Sequence, residues 1–527
     1  MDGPKRMRST ASWAATVGLC GAVVLAADAL RPGEPLVAPQ HAPAPAAAAA
    51  LTSAPPPEPD RRLTERLRTT IAAAKAEAVR RGAARERLTV SVCVRELSGH
   101  PALASIDADI PLRPASNMKL VTTAAALVLL GPDATFDTRF ESSAPIRDGV
   151  LEGDLVLRAG GDPLFDPEGE GAVTHLLEPV TAELARLGVR RVRGALVLDE
   201  GSFPAPGPGP AWPASTQHWS ESCARVAGFT VNAGCLTAVV EAGLAGEQAL
   251  VRVLPAGHSL LRSGKVRTTP KRSALKVAVE ARPPAVTVRG EIPADVRRWS
   301  ARFAHPDPVE LFGEVLLSEL VASGVDVQDG WLRERHRAPE RGLFVLRSPL
   351  QATLGPINRD SNNAVADQLF LATAQAVTGR GDRAGGSEAT RRALVRLGVP
   401  TAGLVQVDGS GLSRDNRVTA RQIAALLDAV VGLGGELSRA YLDSLAVAGE
   451  SGTLARRMRE APTCGRVRAK SGWISGTSAL AGVVETLSGR HLAFSILVDY
   501  PNISGLNTAC WKPMADELCA HLARWDG

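Results

Sequence analysis

The two ends of this chain carry matching pieces of one structure. Residues 61 to 81 (RRLTERLRTTIAAAKAEAVRR) place Leu63, Leu67 and Ile71 on one face at helical spacing, and Leu88, Val90, Val92 and Val94 then alternate as a strand that closes at Ser98-Gly99. At the far end, Leu480 to Leu487 and His491 to Tyr500 flank Ser488-Gly489-Arg490 as a hairpin, and residues 506 to 524 read as a final helix. Matching helix and hairpin elements at both termini predict one α+β domain built from residues 61–140 and 341–527. A large insertion, 141–340, separates the two parts.

That insertion consists mostly of short alternating segments (Gly194 to Asp199, Leu250 to Leu254, Leu275 to Val279, Val286 to Val288) between Gly and Pro clusters. It reads as β-rich, one or two small domains, with helical pieces at 174 to 187 and 308 to 322. There is no convincing internal repeat.

Ahead of the body, Lys5, Arg6 and Arg8 precede an apolar run from Trp13 to Ala27 that ends at Ala27-Asp28-Ala29. This is a secretory signal pattern with an A-x-A cleavage site, or an anchor if it stays uncleaved, so residues 1–30 predict export. Leu19 before Cys20 is too bulky for a lipoprotein cysteine. Residues 31–60, dominated by Ala and Pro, read as a tether. Of seven cysteines, six lie beyond the leader: Cys93, Cys223, Cys235, Cys464, Cys510 and Cys519. An exported chain permits disulfides, and Cys223 with Cys235 is the best pair on offer; buried free thiols are the alternative. Cys510 and Cys519 are about 13.5 Å apart along a continuous helix, beyond disulfide reach.

Charge narrows the function. With 60 Lys+Arg against 55 Asp+Glu, a net charge of +5, the chain is no polybasic nucleic-acid binder. Only 8 of those basic residues are Lys against 52 Arg, so a Lys is informative where it occurs. Ser116-Asn117-Met118-Lys119 opens a helix that continues LVTTAAALVLL, after Pro114 and Ala115 read as an extended approach. A Ser and a Lys three apart share a helix face. Burial can strip a proton from Lys but not from Arg, so the pair can form an activated serine nucleophile. The pattern recurs at Ser273-Ala274-Leu275-Lys276, in a strand-like stretch where i and i+3 point to opposite faces.

Ser361-Asn362-Asn363 is the only S-x-N, ahead of the helical stretch NAVADQLFLATA, and it also suits a helix cap. Lys470-Ser471-Gly472 is the only K-[ST]-G and leads into the C-terminal hairpin; a Lys and a hydroxyl before a close-approach Gly suit a carboxylate. The three motifs in this order are far more specific than any one of them. The set S-x-x-K, S-D-N and K-T-G belongs to β-lactamases and penicillin-binding proteins. Two of the eight lysines fall on its two Lys positions.

On these residues the chain resembles a class C low-molecular-mass penicillin-binding protein, a D-alanyl-D-alanine carboxypeptidase/endopeptidase, over roughly residues 61 to 525. Gly160-Gly161-Asp162-Pro163 and Asp408-Gly409-Ser410-Gly411-Leu412-Ser413, with Asn416, match further segments of that family, although the second reads equally as a plain loop with no catalytic residue. The resemblance implies a penicillin-binding/β-lactamase-like transpeptidase domain, an antiparallel sheet flanked by helices. It implies Ser116 as nucleophile, Lys119 as its base, and Ser361 with Lys470 as the route by which a proton reaches the leaving nitrogen. Asn363 would hold the substrate amide, Ser471 and Lys470 the terminal carboxylate, and the backbone N–H groups of Ser116 and Trp473, beside Gly472, the oxyanion. Peptidoglycan stem peptides and cross-links would be the substrates and β-lactams covalent inhibitors. The resemblance implies neither cofactor nor metal, and the chain has no H-E-x-x-H, paired C-x-x-C, G-x-S-x-G or P-loop.

The chain departs from the family at Ser471, where Thr is usual, at Trp473, where a small or hydroxylated residue is usual, and at Asn362, often Asp. Two other readings compete. A secreted serine β-lactamase or esterase shares the motifs but usually lacks so long an insertion, and Tyr500-Pro501-Asn502 stands after Lys470, the wrong order for a class C β-lactamase. A silent wall-binding protein would have lost a key side chain, and all are present.

Overall fold

The computed structural model describes residues 59–527 apart from Ser98, His100, Glu170 and Pro283. The leader, Cys20 and nearly all of the Ala/Pro-rich tether lie outside the described residues, as does Ser98 of the first expected turn.

A six-stranded antiparallel sheet joins the two ends of the chain, in the order Ala446–Val447, Val467–Ile474, Thr477–Glu485, His491–Asp499, Thr89–Glu96, Ala102–Ile106. Its central register sets Val90 opposite Val498 and Val94 opposite Phe494. Strand alternation sends Val90, Val92 and Val94 to one face, where they pack with Leu63, Leu67 and Ile71 of helix Arg61–Arg80 and with Leu518 and Leu522 of helix Lys512–Ala523. Cys93, Ala481 and Leu497 point the other way, into a core shared with helices Met118–Leu130, Asn363–Thr378 and Ala420–Gly432. The first helix starts where Asp60 caps it, accepting Leu63 N at 2.9 Å. The last begins as a π turn, Asn507–Trp511, before it settles into α-helix.

Between residues 134 and 350 the chain forms further sheets. One has five strands, ordered Trp331–Glu334, Leu196–Asp199, Leu155–Arg158, Thr135–Glu141, Gly342–Pro349, so outgoing and returning strands lie side by side. Another holds Leu250–Leu254, Cys235–Glu241 and Arg298–Ala304. A third carries Ala285–Pro293 between shorter partners. Helices Thr174–Arg186 and Pro308–Ala322 cover this region, the second started by Asp307, whose carboxylate accepts Val309 N at 3.0 Å ahead of Pro308 at N1.

Two expectations change. The six cysteines among the described residues are free, five of them buried. Cys235 starts a strand whose side chains face the core and Cys223 sits in a short turn beside Ser222, so the Cys223–Cys235 bridge does not form. The approach to Ser116 is not extended: Pro114 is helical (φ −81°, ψ −15°) and Ala115 is left-handed (φ 46°). Gly411 accommodates the bend: a Cβ there would stand 1.8 Å from the Ala115 carbonyl oxygen, so two backbones touch where only Gly fits. Among the described residues no helix is long and apolar enough to cross a membrane.

Candidate active site

The three motifs meet at one edge of the six-stranded sheet. Ser116 lies in a short 3₁₀ turn, Ala115–Asn117, that runs into helix Met118–Leu130, and Lys119 one turn on is completely buried. Its Nζ donates to Ser116 Oγ at 3.1 Å, to Asn363 Oδ1 at 2.6 Å and to the Ser410 carbonyl at 2.8 Å. Burial holds the Lys119 ammonium down, to about 8, against the pull of the Asp367 and Asp408 carboxylates. A lysine so placed can shed its proton near neutral pH and accept one from the adjacent hydroxyl.

Asn117 locks this turn onto the sheet. In the amide orientation its partners require, Asn117 donates to the Lys470 carbonyl at 2.8 Å and accepts Ala481 N at 3.3 Å. Arg113, ion-paired with Asp499, donates to the Gly476 carbonyl at 3.3 Å and ties down the preceding residues.

The second motif does two jobs. Asn362 caps helix Asn363–Thr378, accepting Val365 N at 3.1 Å, and so faces the backbone as a cap should. Ser361 just before it adopts φ 67°, an uncommon conformation for a residue with a Cβ, which turns its hydroxyl to accept from Lys470 Nζ at 2.9 Å. Asn363, on the first turn, reaches Lys119 with its oxygen and donates Nδ2 to the Ser222 carbonyl at 2.8 Å.

Lys470, Ser471, Gly472 and Trp473 occupy strand Val467–Ile474. Lys470 is fully buried; burial, then the nearby Lys119 charge, push it well below the usual lysine range, with Asp360 opposing. Ser471 Oγ donates to Thr453 Oγ1 at 2.8 Å. A Cβ on Gly472 would meet Pro114 O at 3.0 Å and Ser116 N at 3.1 Å, so its absence lets the strand lie against the serine turn. Trp473 is 60% exposed at the rim, its Nε1 donating to Tyr500 Oη at 3.2 Å. A cavity of about 310 Å³ opens beside Ser361, Asn362 and Asn363, walled on the other side by Phe165, Glu221 and Ser222.

All eight candidate residues therefore come to one place, while the second S-x-x-K does not: Ser273 turns its hydroxyl to Pro270 O at 2.7 Å, and Lys276 is exposed on strand Lys276–Arg282. Five further groups surround the site to which the motifs gave no role: Thr453, the carbonyls of Ser222 and Ser410, and the carboxylates of Asp367 and Asp408, the last within the segment 408–413 read as a loop without catalytic residues. Asp367 left a trace, as the one charged residue in the helix NAVADQLFLATAQAVT. Among the described residues no three His, Cys, Asp or Glu side chains converge as metal ligands would.

Known proteins resemble this chain over most of its length. The family model for the D-Ala-D-Ala carboxypeptidase 3 (S13) family matches residues 74–516. A D-alanyl-D-alanine carboxypeptidase of Actinomadura sp. (strain R39) is 35% identical over 442 residues, spanning 80% of this chain and 79% of that protein. The D-alanyl-D-alanine carboxypeptidase DacB of Haemophilus influenzae is 25% identical over 423 residues, 78% of this chain and 85% of its own. The crystal structure of penicillin binding protein 4 from Haemophilus influenzae superposes with a TM-score of 0.68 at 23% identity, over 85% of this chain and 98% of that one, and so shares the fold. By the span of the family model and the likeness to the Actinomadura enzyme, this chain belongs to the D-Ala-D-Ala carboxypeptidase 3 (S13) family.

Proposed function

We propose that the protein is a serine-type D-Ala-D-Ala carboxypeptidase/endopeptidase that cleaves peptidoglycan stem peptides and cross-links through an acyl-enzyme on Ser116. The observation that carries this reading is a fully buried lysine, its pKa lowered, 3.1 Å from the serine hydroxyl one turn before it. Ser116 Oγ attacks the carbonyl carbon of the penultimate D-Ala as its proton passes to Lys119 Nζ. Backbone N–H groups of Ser116 and Trp473 receive the oxyanion, each such donor being worth roughly 3 kcal/mol. The C–N bond breaks as the proton that Lys119 took from Ser116 passes to the leaving nitrogen by way of Ser361, which Lys470 supports at 2.9 Å, so Lys119 is neutral again. Asn363 orients the substrate amide, while Ser471 and Lys470 take the terminal carboxylate. Water then attacks the ester and gives up a proton to Lys119, which passes it to Ser116 Oγ as the ester C–O bond breaks.

In this reading residues 61–140 and 341–527 form the catalytic domain, with 141–340 inserted as β-rich domains. Residues 1–30 export the chain, cleaved as a signal peptide or kept as an anchor, and 31–60 tether it outside the cytoplasm. β-lactams acylate Ser116. A synthetic peptide ending in D-Ala-D-Ala tests the activity: the wild type releases D-Ala, seen by mass spectrometry, and Ser116→Ala does not. Release that survives Ser116→Ala contradicts the proposal, and rapid destruction of benzylpenicillin without peptide cleavage points to a β-lactamase instead.

A further inference from the structure

Behind Lys119 lies a group that the three motifs do not include. The peptide linking Ser410 to Gly411 offers its carbonyl to Lys119 Nζ at 2.8 Å, and the N–H of the same peptide, on Gly411, donates to Asp408 Oδ1 at 2.8 Å. Hydrogen bonds at both ends of one amide polarise it in the same sense and strengthen each other. On the other side of Ser410, its N–H donates to Asp367 Oδ1 at 2.7 Å and its hydroxyl to Asp367 Oδ2 at 3.2 Å. Asp408 is itself fixed, accepting Ser413 N at 2.7 Å and Asn416 Nδ2 at 2.8 Å. Gly411 in turn presses on the Ala115 carbonyl, next to the nucleophile.

Building on the acylation of Ser116 proposed above, we propose that Asp367 and Asp408 are positioning residues of this site. From opposite sides, Asp367 through Ser410 and Asp408 through Gly411 N–H, they hold this segment, aim the Ser410 carbonyl at Lys119, and supply the negative charge against which that lysine gives up its proton. Each sits on a different element, helix Asn363–Thr378 and the loop before helix Ala420–Gly432, so the two hold Lys119 between separate parts of the fold.

The charge balance follows from every element around the lysine. Asp367 and Asp408 favour the charged form of Lys119, that charge disfavours the charged form of Lys470 on the neighbouring strand, and Asp360 and Arg383 act one step removed, on Lys470 and Asp367 respectively. Burial, then Asp408, push the Asp367 carboxyl up to about 7, while Lys119 and Arg383 oppose them, so Asp367 and Lys119 titrate in the same range as a linked pair. Two anionic groups thus return basicity to a lysine that burial alone would make too weak a base. Removing one of them makes Lys119 neutral at lower pH and a poorer proton acceptor.

The test is the pH dependence of the acylation rate with benzylpenicillin, followed by intact mass, in the wild type, Asp367→Asn and Asp367→Glu. In Asp367→Asn the acid limb is expected to move to lower pH by about one unit, with the plateau lowered about tenfold. Asp367→Glu, which keeps the charge, is expected to return the limb toward the wild-type position. An Asp367→Asn protein that melts like the wild type and keeps its acid limb in place overturns the proposal, whether or not its plateau falls. A wild type that never acylates would instead break the underlying functional reading. A second measurement needs no carboxylate variant: with only 8 lysines, ε-¹³C-lysine spectra can isolate the Lys119 resonance by its loss in Lys119→Arg. Two inflections in its titration, one from the linked carboxyl, are expected; a single inflection overturns the proposal even if Asp367→Asn does not fold.

Discussion

The chain sets a serine three residues ahead of a lysine twice, and the two copies meet different fates. Ser116 and Lys119 fall at the start of a buried helix, so the spacing puts both side chains on one face and the lysine loses its water. Ser273 and Lys276 fall where a strand begins, the lysine stays in solvent, and the serine bonds the backbone of its own turn. Four letters alone thus carry no chemistry. Backbone period decides whether the pair meets, and burial decides whether the lysine becomes a base.

The sharpest break between the copies is expected from Arg in place of each lysine. Lys119→Arg keeps its charge at every working pH, has no lone pair to offer Ser116, and is expected to lose at least about 10³-fold in acylation rate. Lys276→Arg is expected to match the wild type in the same benzylpenicillin assay. Equal losses, or none in Lys119→Arg, would erase the distinction. A smaller effect comes from pH. Lys119 acts only when neutral, and its neutral fraction falls as pH drops through its lowered pKa of about 8. The acylation rate is therefore expected to fall about tenfold per pH unit on the acid side, whereas an exposed lysine would place that limb near 10.4. The smallest effect belongs to the cap that shapes the second motif. Asn362→Ala removes the bond to Val365 N and is expected to cost about 1 kcal/mol, read as a lower denaturant midpoint with Lys119 and its pH limb unmoved.

What the sequence disclosed, and what it hid, follow the same division between local and distant. Leu63, Leu67 and Ile71 announced their helix, Val90, Val92 and Val94 their strand, and Ser116 with Lys119 their contact, because each pattern lies within a few residues. Ser361 and Lys470 were legible only as motifs, since their 2.9 Å contact spans 109 positions. The Ser410 carbonyl was invisible, because a backbone oxygen has no letter of its own. Asp408 was visible but read as a loop residue, and its role shows only once Gly411 N and Lys119 are seen at opposite ends of one peptide. The left-handed Ala115 was equally hidden, because the close approach of its carbonyl depends on Gly411, far away in sequence. Cysteine spacing misled for a related reason: Cys223 and Cys235 are close along the chain, yet the core takes both as free thiols.

Peptide mapping of the protein after brief exposure to benzylpenicillin tests the central claim most directly, because the two serines fall on separate proteolytic fragments. The penicilloyl group is expected on the fragment that contains Ser116, with none on the fragment that contains Ser273. An adduct on any serine other than Ser116, or an adduct that persists in Ser116→Ala, would contradict it.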